Sequence, residues 1–96
     1  MADMRRLTSV YFAKALRNWR QAYDITQDDI ATKLGIAKST VSDVETGRSG
    51  PWNRNRIRKL SSEFGLAALE AEALEDAAWE DFSVWFEGKG EANVGR

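Results

Sequence analysis

Apolar side chains recur along this chain at intervals of three and four residues, which is the pattern of amphipathic helices. The first stripe predicts a long helix that begins at Leu7 or Thr8. Its members are Val10, Phe12, Leu16, Trp19 and Tyr23. A fourth helix is predicted from about Asn53 to Phe64, and Gly65 is expected to end it.

Between these helices, residues 26–46 predict two short helices joined by a tight turn. Thr26 is a good N-cap for a helix that begins at Gln27, and Asp29 three residues later resembles a capping box. Gly35 is expected to end this helix, because glycine adopts a left-handed conformation without steric cost. In the next helix, residues 38–45, Val41 and Val44 form the inner pair while the outer face is polar.

The last part of the chain predicts a fifth helix over about residues 67–86. It is rich in Ala, Leu and Glu, which are strong helix formers. Gly88 and Gly90 are expected to end it, so that residues 88–96 form a flexible tail. The chain is therefore predicted to be all-α, with five helices. We divide it into a helix-turn-helix unit at 1–66, with its motif at about 26–46, and an acidic amphipathic C-terminal helix at 67–87.

Composition limits the chemistry that the chain can perform. Ninety-six residues allow one domain with an adequate core. There is no cysteine and no histidine, which removes disulfides, thiolate metal sites and the commonest general base. We expect no catalysis, no metal and no cofactor. No apolar run approaches the ~18 residues of a membrane span, and the N-terminus has no signal-peptide core, so a cytoplasmic protein without a membrane partner is expected.

The net charge of −1 conceals a strong asymmetry. Residues 1–63 carry twelve Lys or Arg against seven Asp or Glu, a net charge of +5. Residues 64–96 carry two basic and eight acidic residues, a net charge of −6. Only the N-terminal part is therefore expected to attract phosphate, while the acidic part should face away from nucleic acid.

The spacing of the central residues resembles the lambda-repressor and Cro helix-turn-helix family over about residues 16–66. The matching positions are Arg20, Ile25-Thr26-Gln27, Ile30-Ala31, Gly35, Val41-Ser42, Glu45, Gly47 and Pro51. The resemblance implies a lambda-repressor-like fold that binds duplex DNA, with Arg20 and Glu45 as a structural ion pair between the first and third helices. The chain departs from the family pattern at Asp24, at Ala37 in place of a Ser or Thr cap, and in the basic stretch 52–59.

The same resemblance assigns base contacts to the first two residues and the sixth residue of the third helix. These are Lys38, Ser39 and Asp43, with Thr40 and Ser42 as plausible neighbours. Lysine can donate to guanine, serine can serve several bases, and aspartate can accept from a cytosine amino group. The alternative is that these side chains form an ordinary solvated helix face.

Phosphate contacts are expected from a second group of residues. Gln27 matches the family position at the start of helix 2 that binds backbone phosphate. Arg48 and Arg54 match regions that bind phosphates in relatives, and Arg56 could join them. Arg58 and Lys59 are interpreted as solvated surface. Arg5 and Arg6 form either a basic arm along the DNA or a disordered terminus.

The fifth helix is expected to carry a dimer interface, because aromatic residues among carboxylates suit an interface core inside a charged rim. The proposed interface residues are Leu69, Leu74, Trp79, Phe82, Trp85 and Phe86. The alternative is that this helix folds back onto its own domain.

The functional hypothesis is a dimeric repressor bound to a pseudo-palindromic operator on double-stranded DNA. Two alternatives stay open: an autoregulating antitoxin that holds a protein partner with this helix, and a protein-interaction module without DNA binding.

Overall fold

The computed structural model describes the backbone of residues 7–94 and the side chains of residues 7–85. Within these residues the chain is all-α, as predicted, and contains no strand. The five helices are α1 (Tyr11–Ala22), α2 (Gln27–Leu34), α3 (Lys38–Glu45), α4 (Arg54–Phe64) and α5 (Ala68–Val94).

The central helices begin and end where their capping residues predict. The Thr26 hydroxyl accepts a hydrogen bond from the Asp29 amide, and the Asp29 carboxylate accepts one from the Thr26 amide, both at 3.0 Å. The hydrogen bond from the Thr26 amide, with a smaller contribution from its hydroxyl, lowers the pKa of Asp29. Gly35 and Gly65 end α2 and α4 in the left-handed conformation. Asp24 also has a positive φ of 56°, which an aspartate tolerates better than most residues do.

The outer helices differ from the prediction at their free ends. Helix α1 begins at Tyr11 rather than at Leu7 or Thr8, because the preceding Ser9 is held by the loop that follows α3. The Ser9 amide donates to the Ser49 carbonyl at 3.0 Å. Helix α5 continues through Gly88 and Gly90 to Val94, so the expected flexible tail is helical as far as that residue. Glycine costs a helix about 1 kcal/mol relative to alanine, which weakens a helix but does not end it.

One apolar core joins all five helices. Helix α1 packs against α3 and α5, α2 packs against α3 and α4, and α4 packs against α5. The side chains that are essentially inaccessible to solvent are Phe12, Leu16, Ile30, Val41, Val44, Ile57, Leu60 and Leu74. Trp52, in the loop before α4, is also buried, and its ring lies 5.7 Å from that of Phe12.

Helix α5 folds back onto its own domain, which corrects part of the predicted dimer interface. Leu74 is only 2% exposed and belongs to the core, as does Ala78 one turn later, so Leu74 cannot contact a second molecule. Near the start of α5, the Tyr23 hydroxyl donates to the Glu70 carboxylate, and this hydrogen bond raises the pKa of Tyr23. Trp85 is half-buried, and the side chain of Phe86 lies outside the described residues.

Candidate nucleic-acid interface

Helices α2 and α3 meet at a three-residue turn that fixes their relative direction. Gly35 takes a φ of 68°, and the Ile36 amide then donates to the Ala31 carbonyl at 3.0 Å. Ala37 precedes α3 in an extended conformation and gives it no side-chain cap. Part of the N-terminus of α3 is therefore left without a side-chain partner from its own N-cap residue.

Helix α3 separates its buried and accessible residues sharply. Val41, Val44 and Glu45 are buried, while Lys38 and Ser39 are exposed at the N-terminal end. The other three predicted base-contact residues, Thr40, Ser42 and Asp43, are half-buried. The outer face of α3 thus presents short polar groups and one lysine, and it offers hydrogen-bond donors and acceptors without a bulky apolar side chain.

The ion pair expected between α1 and α3 is present and has bidentate geometry. Arg20 Nε donates to Glu45 Oε2 at 2.8 Å, and Arg20 Nη2 donates to Glu45 Oε1 at 2.9 Å. Arg20 Nη1 also donates to the Ile25 carbonyl at 3.1 Å. Because the Glu45 side chain is only 2% exposed, this pair is shielded from solvent and fixes α3 against α1.

Gln27 belongs to the same network. Its side-chain amide donates to Glu45 Oε1 at 3.0 Å, so the first residue of α2 is joined to the last residue of α3. A phosphate contact by the Gln27 side chain must therefore share or replace this hydrogen bond. The backbone amides at the start of α2 provide a second means of binding phosphate there.

A weak surface ion pair connects the beginnings of α2 and α3. Lys38 Nζ lies 3.8 Å from Asp28 Oδ2, and both side chains are largely exposed. An exposed pair of this kind contributes little to stability, so Lys38 remains available to another acceptor. Asp28 places a negative charge beside the predicted base-reading lysine.

The predicted phosphate-binding arginines have different surroundings. Arg48 is exposed in the loop after α3. Arg54, at the start of α4, lies 3.5 Å from the Glu75 carboxylate of α5. The guanidinium of Arg56 stands 5.6 Å from the centre of the Trp52 ring, in a cation–π contact.

Lys59 donates to the Leu34 carbonyl at 3.3 Å and so helps to end α2. Arg5 and Arg6 lie outside the described residues.

Two buried polar residues that support this surface were not predicted. Asp81 of α5 accepts hydrogen bonds from the amides of Val10, Tyr11 and Phe12, each at 2.9 Å, and so caps the N-terminus of α1. The Ser9 hydroxyl lies against the carbonyls of Val44 and Ser49, at the end of α3 and in the loop that follows it. In the sequence, Asp81 is one of eight acidic residues between positions 64 and 96, and no local pattern distinguishes it from the others.

This arrangement is that of a helix-turn-helix protein: α3 displays a polar face and is fixed from behind by α1, α2 and the Arg20–Glu45 pair. A comparison with known families agrees, because the Helix-turn-helix family of the Cro/C1 type matches residues 16–69. The match covers more than half of the chain, and the protein belongs to this family. The family has a lambda-repressor-like all-α fold and binds double-stranded DNA.

A curated relative extends the comparison over a short stretch. An uncharacterized HTH-type transcriptional regulator of Archaeoglobus fulgidus is 50% identical over 38 residues. That stretch is 40% of this chain but only 17% of the relative's length. No solved structure matches the chain. No helix within the described residues is long and apolar enough to cross a membrane.

Proposed function

We propose that this protein is a transcriptional regulator that binds duplex DNA sequence-specifically as a homodimer and represses a promoter. The observation that carries the proposal is the placement of exposed Lys38 and Ser39 on a helix whose other end is fixed by the buried Arg20–Glu45 pair. Specific readout requires side chains held in a defined position against the base edges. Two recognition helices in successive major grooves would exclude polymerase from the DNA between and around them.

In this proposal the contacts fall into two groups. Lys38 and Ser39 read base edges, and Asp43, Thr40 and Ser42 contact bases or neighbouring phosphates from their half-buried positions. Gln27, Arg48 and Arg54 bind phosphates and fix the register of the protein on the duplex. Arg54 must leave Glu75 to do so, which costs little because the Arg54 side chain is 70% exposed. Arg56 contributes mainly by its contact with Trp52.

The dimer interface is proposed on the accessible side of α5. Leu69 is 79% exposed and Trp79 is 64% exposed, nearly three turns apart on a helix otherwise crowded with carboxylates. Phe82, three residues after Trp79, lies half-buried in a groove between α4 and α5 that also contains Trp52 and Trp79. Leu74 is excluded from this interface by its burial. A single domain of this size reads only a few base pairs, so two copies on a pseudo-palindrome would give useful affinity.

Base reading is tested by selecting the preferred sequence from random duplex DNA and then measuring affinity for variants. Lys38→Ala should weaken the preferred site by about 1–3 kcal/mol and relax selectivity at one or two base pairs. Arg48→Ala should weaken all duplexes nearly equally and reduce the salt dependence by about 1 unit. Equal weakening of every duplex by Lys38→Ala would show that Lys38 does not read bases.

The dimer is tested by sedimentation of the double variant Leu69→Ser and Trp79→Ser. Because both side chains are exposed, the variant should fold as a monomer with much weaker operator binding. Tyr11→Ser is the control, since Tyr11 is an exposed apolar residue of α1 outside the proposed interface, and it should leave the dimer intact. A double variant that stays dimeric would move the interface to other helices.

The exposed Leu69 and Trp79 also support a second candidate function, that of an autoregulating antitoxin. The acidic helix would then hold a basic toxin on the same surface. Co-purification of a basic partner that is lost in the Leu69→Ser and Trp79→Ser variant would favour this function over a simple homodimer.

A further inference from the structure

Helix α1 contains three cationic residues and no acidic one. Arg20 is engaged by Glu45, but Lys14 and Arg17 are exposed. Among the residues that the structure describes, neither of these two side chains forms an ion pair with a carboxylate. Their positive charge is therefore free to attract a mobile or external anion.

Lys14 and Arg17 share one groove beside the end of the proposed recognition helix. Asn18 and Gln21 continue its polar wall along α1, and Glu45 closes it at α3. Arg17 Nη2 donates to the Glu45 backbone carbonyl at 2.7 Å, which holds the guanidinium next to the last residue of α3. The Glu45 carboxylate itself is engaged by Arg20 and Gln27, so it offers no free anionic oxygen to oppose a bound anion.

The groove also adjoins the loop that carries Arg48. Ser9, two residues before α1, is joined to that loop by the hydrogen bond from its amide to the Ser49 carbonyl. Helix α3 has eight residues and is therefore about 12 Å long, close to the ~12 Å width of the major groove. With the first residues of α3 on the bases, side chains that flank its last residue lie near the edge of the groove, where the phosphates are.

We propose that Lys14 and Arg17 form a further phosphate-binding site, which holds the DNA strand beside the C-terminal end of α3. Lys14 supplies an ammonium group, Arg17 supplies the guanidinium donors not used by Glu45, and the amides of Asn18 and Gln21 complete the wall. The site rests on the proposed DNA-binding function and extends it. Because phosphate contacts carry no sequence information, it raises affinity and the salt dependence without changing the preferred operator.

The test compares two double variants of the full chain that remove the same charge. Lys14→Gln with Arg17→Gln removes the proposed site. Lys33→Gln with Arg58→Gln is the control, because both residues are exposed and belong to no proposed contact. Duplex affinity is measured over a series of salt concentrations. We expect the first variant to reduce the magnitude of the negative slope of log K against log salt by about 1.8, which is 0.9 for each lost phosphate contact. It should weaken binding to selected and random duplexes alike.

The control variant should change the slope by less than half as much. Since Arg17 also contacts the Glu45 carbonyl, Lys14→Gln alone is measured as well, and it should lower the slope by about 0.9. Equal slopes for the variant and control pairs, with normal salt-dependent binding by the unmodified protein, would overturn this site alone. Absence of salt-dependent duplex binding by the unmodified protein would overturn the proposed function together with it.

Discussion

Glu45 and Asp81 are two carboxylates buried against the same helix, and each is 4% exposed. Glu45 is neutralised by the guanidinium of Arg20, within a pair of residues that lie 25 positions apart. Asp81 has no cationic partner among the described ion pairs and instead accepts three backbone amides at the start of α1, 69 to 71 positions away. The buried charge of Glu45 is therefore stabilised by a side chain, and the buried charge of Asp81 is stabilised by the positive end of a helix.

This difference affects what each residue controls. The Arg20–Glu45 pair fixes α3, so it positions the proposed DNA-reading surface directly. Asp81 fixes the beginning of α1 to α5, and it reaches the same surface only through the packing of α1 against α3. Loss of the first should lower stability and weaken duplex binding without changing which bases are preferred, while loss of the second should act mainly on stability.

The largest effect is expected from Glu45→Ala. Arg20, whose side chain is only 16% exposed, would lose its partner at a cost of roughly 3–5 kcal/mol in the free energy of unfolding. Thermal denaturation should show a marked fall in melting temperature, while the folded fraction keeps its base preference. An unaltered melting temperature with a new base preference would place Glu45 in the interface instead of the scaffold.

A smaller loss is expected from Asp81→Ala, of about 2 kcal/mol, because the amides of Val10, Tyr11 and Phe12 lose their acceptor and only the Phe12 hydrogen bond is fully buried. Amide hydrogen exchange at Val10, Tyr11 and Phe12 should accelerate. The stability of Asp81→Asn should lie between that of the unmodified protein and that of Asp81→Ala, since asparagine keeps an acceptor oxygen without the charge. Glu80→Ala, at the exposed neighbouring position, is the control. Unchanged exchange in Asp81→Ala would argue against the cap.

Helix α2 has a cap that is exposed to solvent, unlike these two buried carboxylates. Thr26→Ala should cost about 1 kcal/mol, because the Asp29 amide loses its acceptor in a place where water replaces it. Thr32→Ala, at an exposed position inside the same helix, should have a much smaller effect. Chemical denaturation of the two variants measures the difference. A cost equal to that of Asp81→Ala would mean that burial adds little to the strength of a cap.

The smallest effect is a pH dependence at Asp29. Its pKa is lowered below the ordinary 3.8 in the folded state, so its stabilising contribution is present above that value and is lost as the pH falls through the folded pKa. The unmodified protein should exceed Asp29→Asn in stability at neutral pH, and the difference should disappear on acidification. A difference that stays constant with pH would exclude ionisation of Asp29 as its source.

The sequence could predict the parts of this structure that depend on local spacing. The cap at Thr26, the turn at Gly35 and the inner pair Val41 and Val44 all follow from residues a few positions apart. The Arg20–Glu45 pair was predicted because a family resemblance supplied the long-range partner. Asp81 and Ser9 have partners far along the chain and no distinctive neighbours, so nothing local separates them from surface residues. Leu74 was misassigned for a related reason: a stripe of apolar residues does not show whether its own domain or a second molecule covers it.

The cap provided by Asp81 also has a consequence for synthesis of the chain. The Asp81 carboxylate, which accepts a hydrogen bond from the Phe12 amide, is synthesised 69 residues after Phe12. At about 5–20 residues per second, this interval is roughly 3 to 14 seconds. During that time α2, α3 and α4 are synthesised, while the start of α1 still lacks its cap. The N-terminal end of the domain should therefore be among its last parts to reach their final structure, although it is made first.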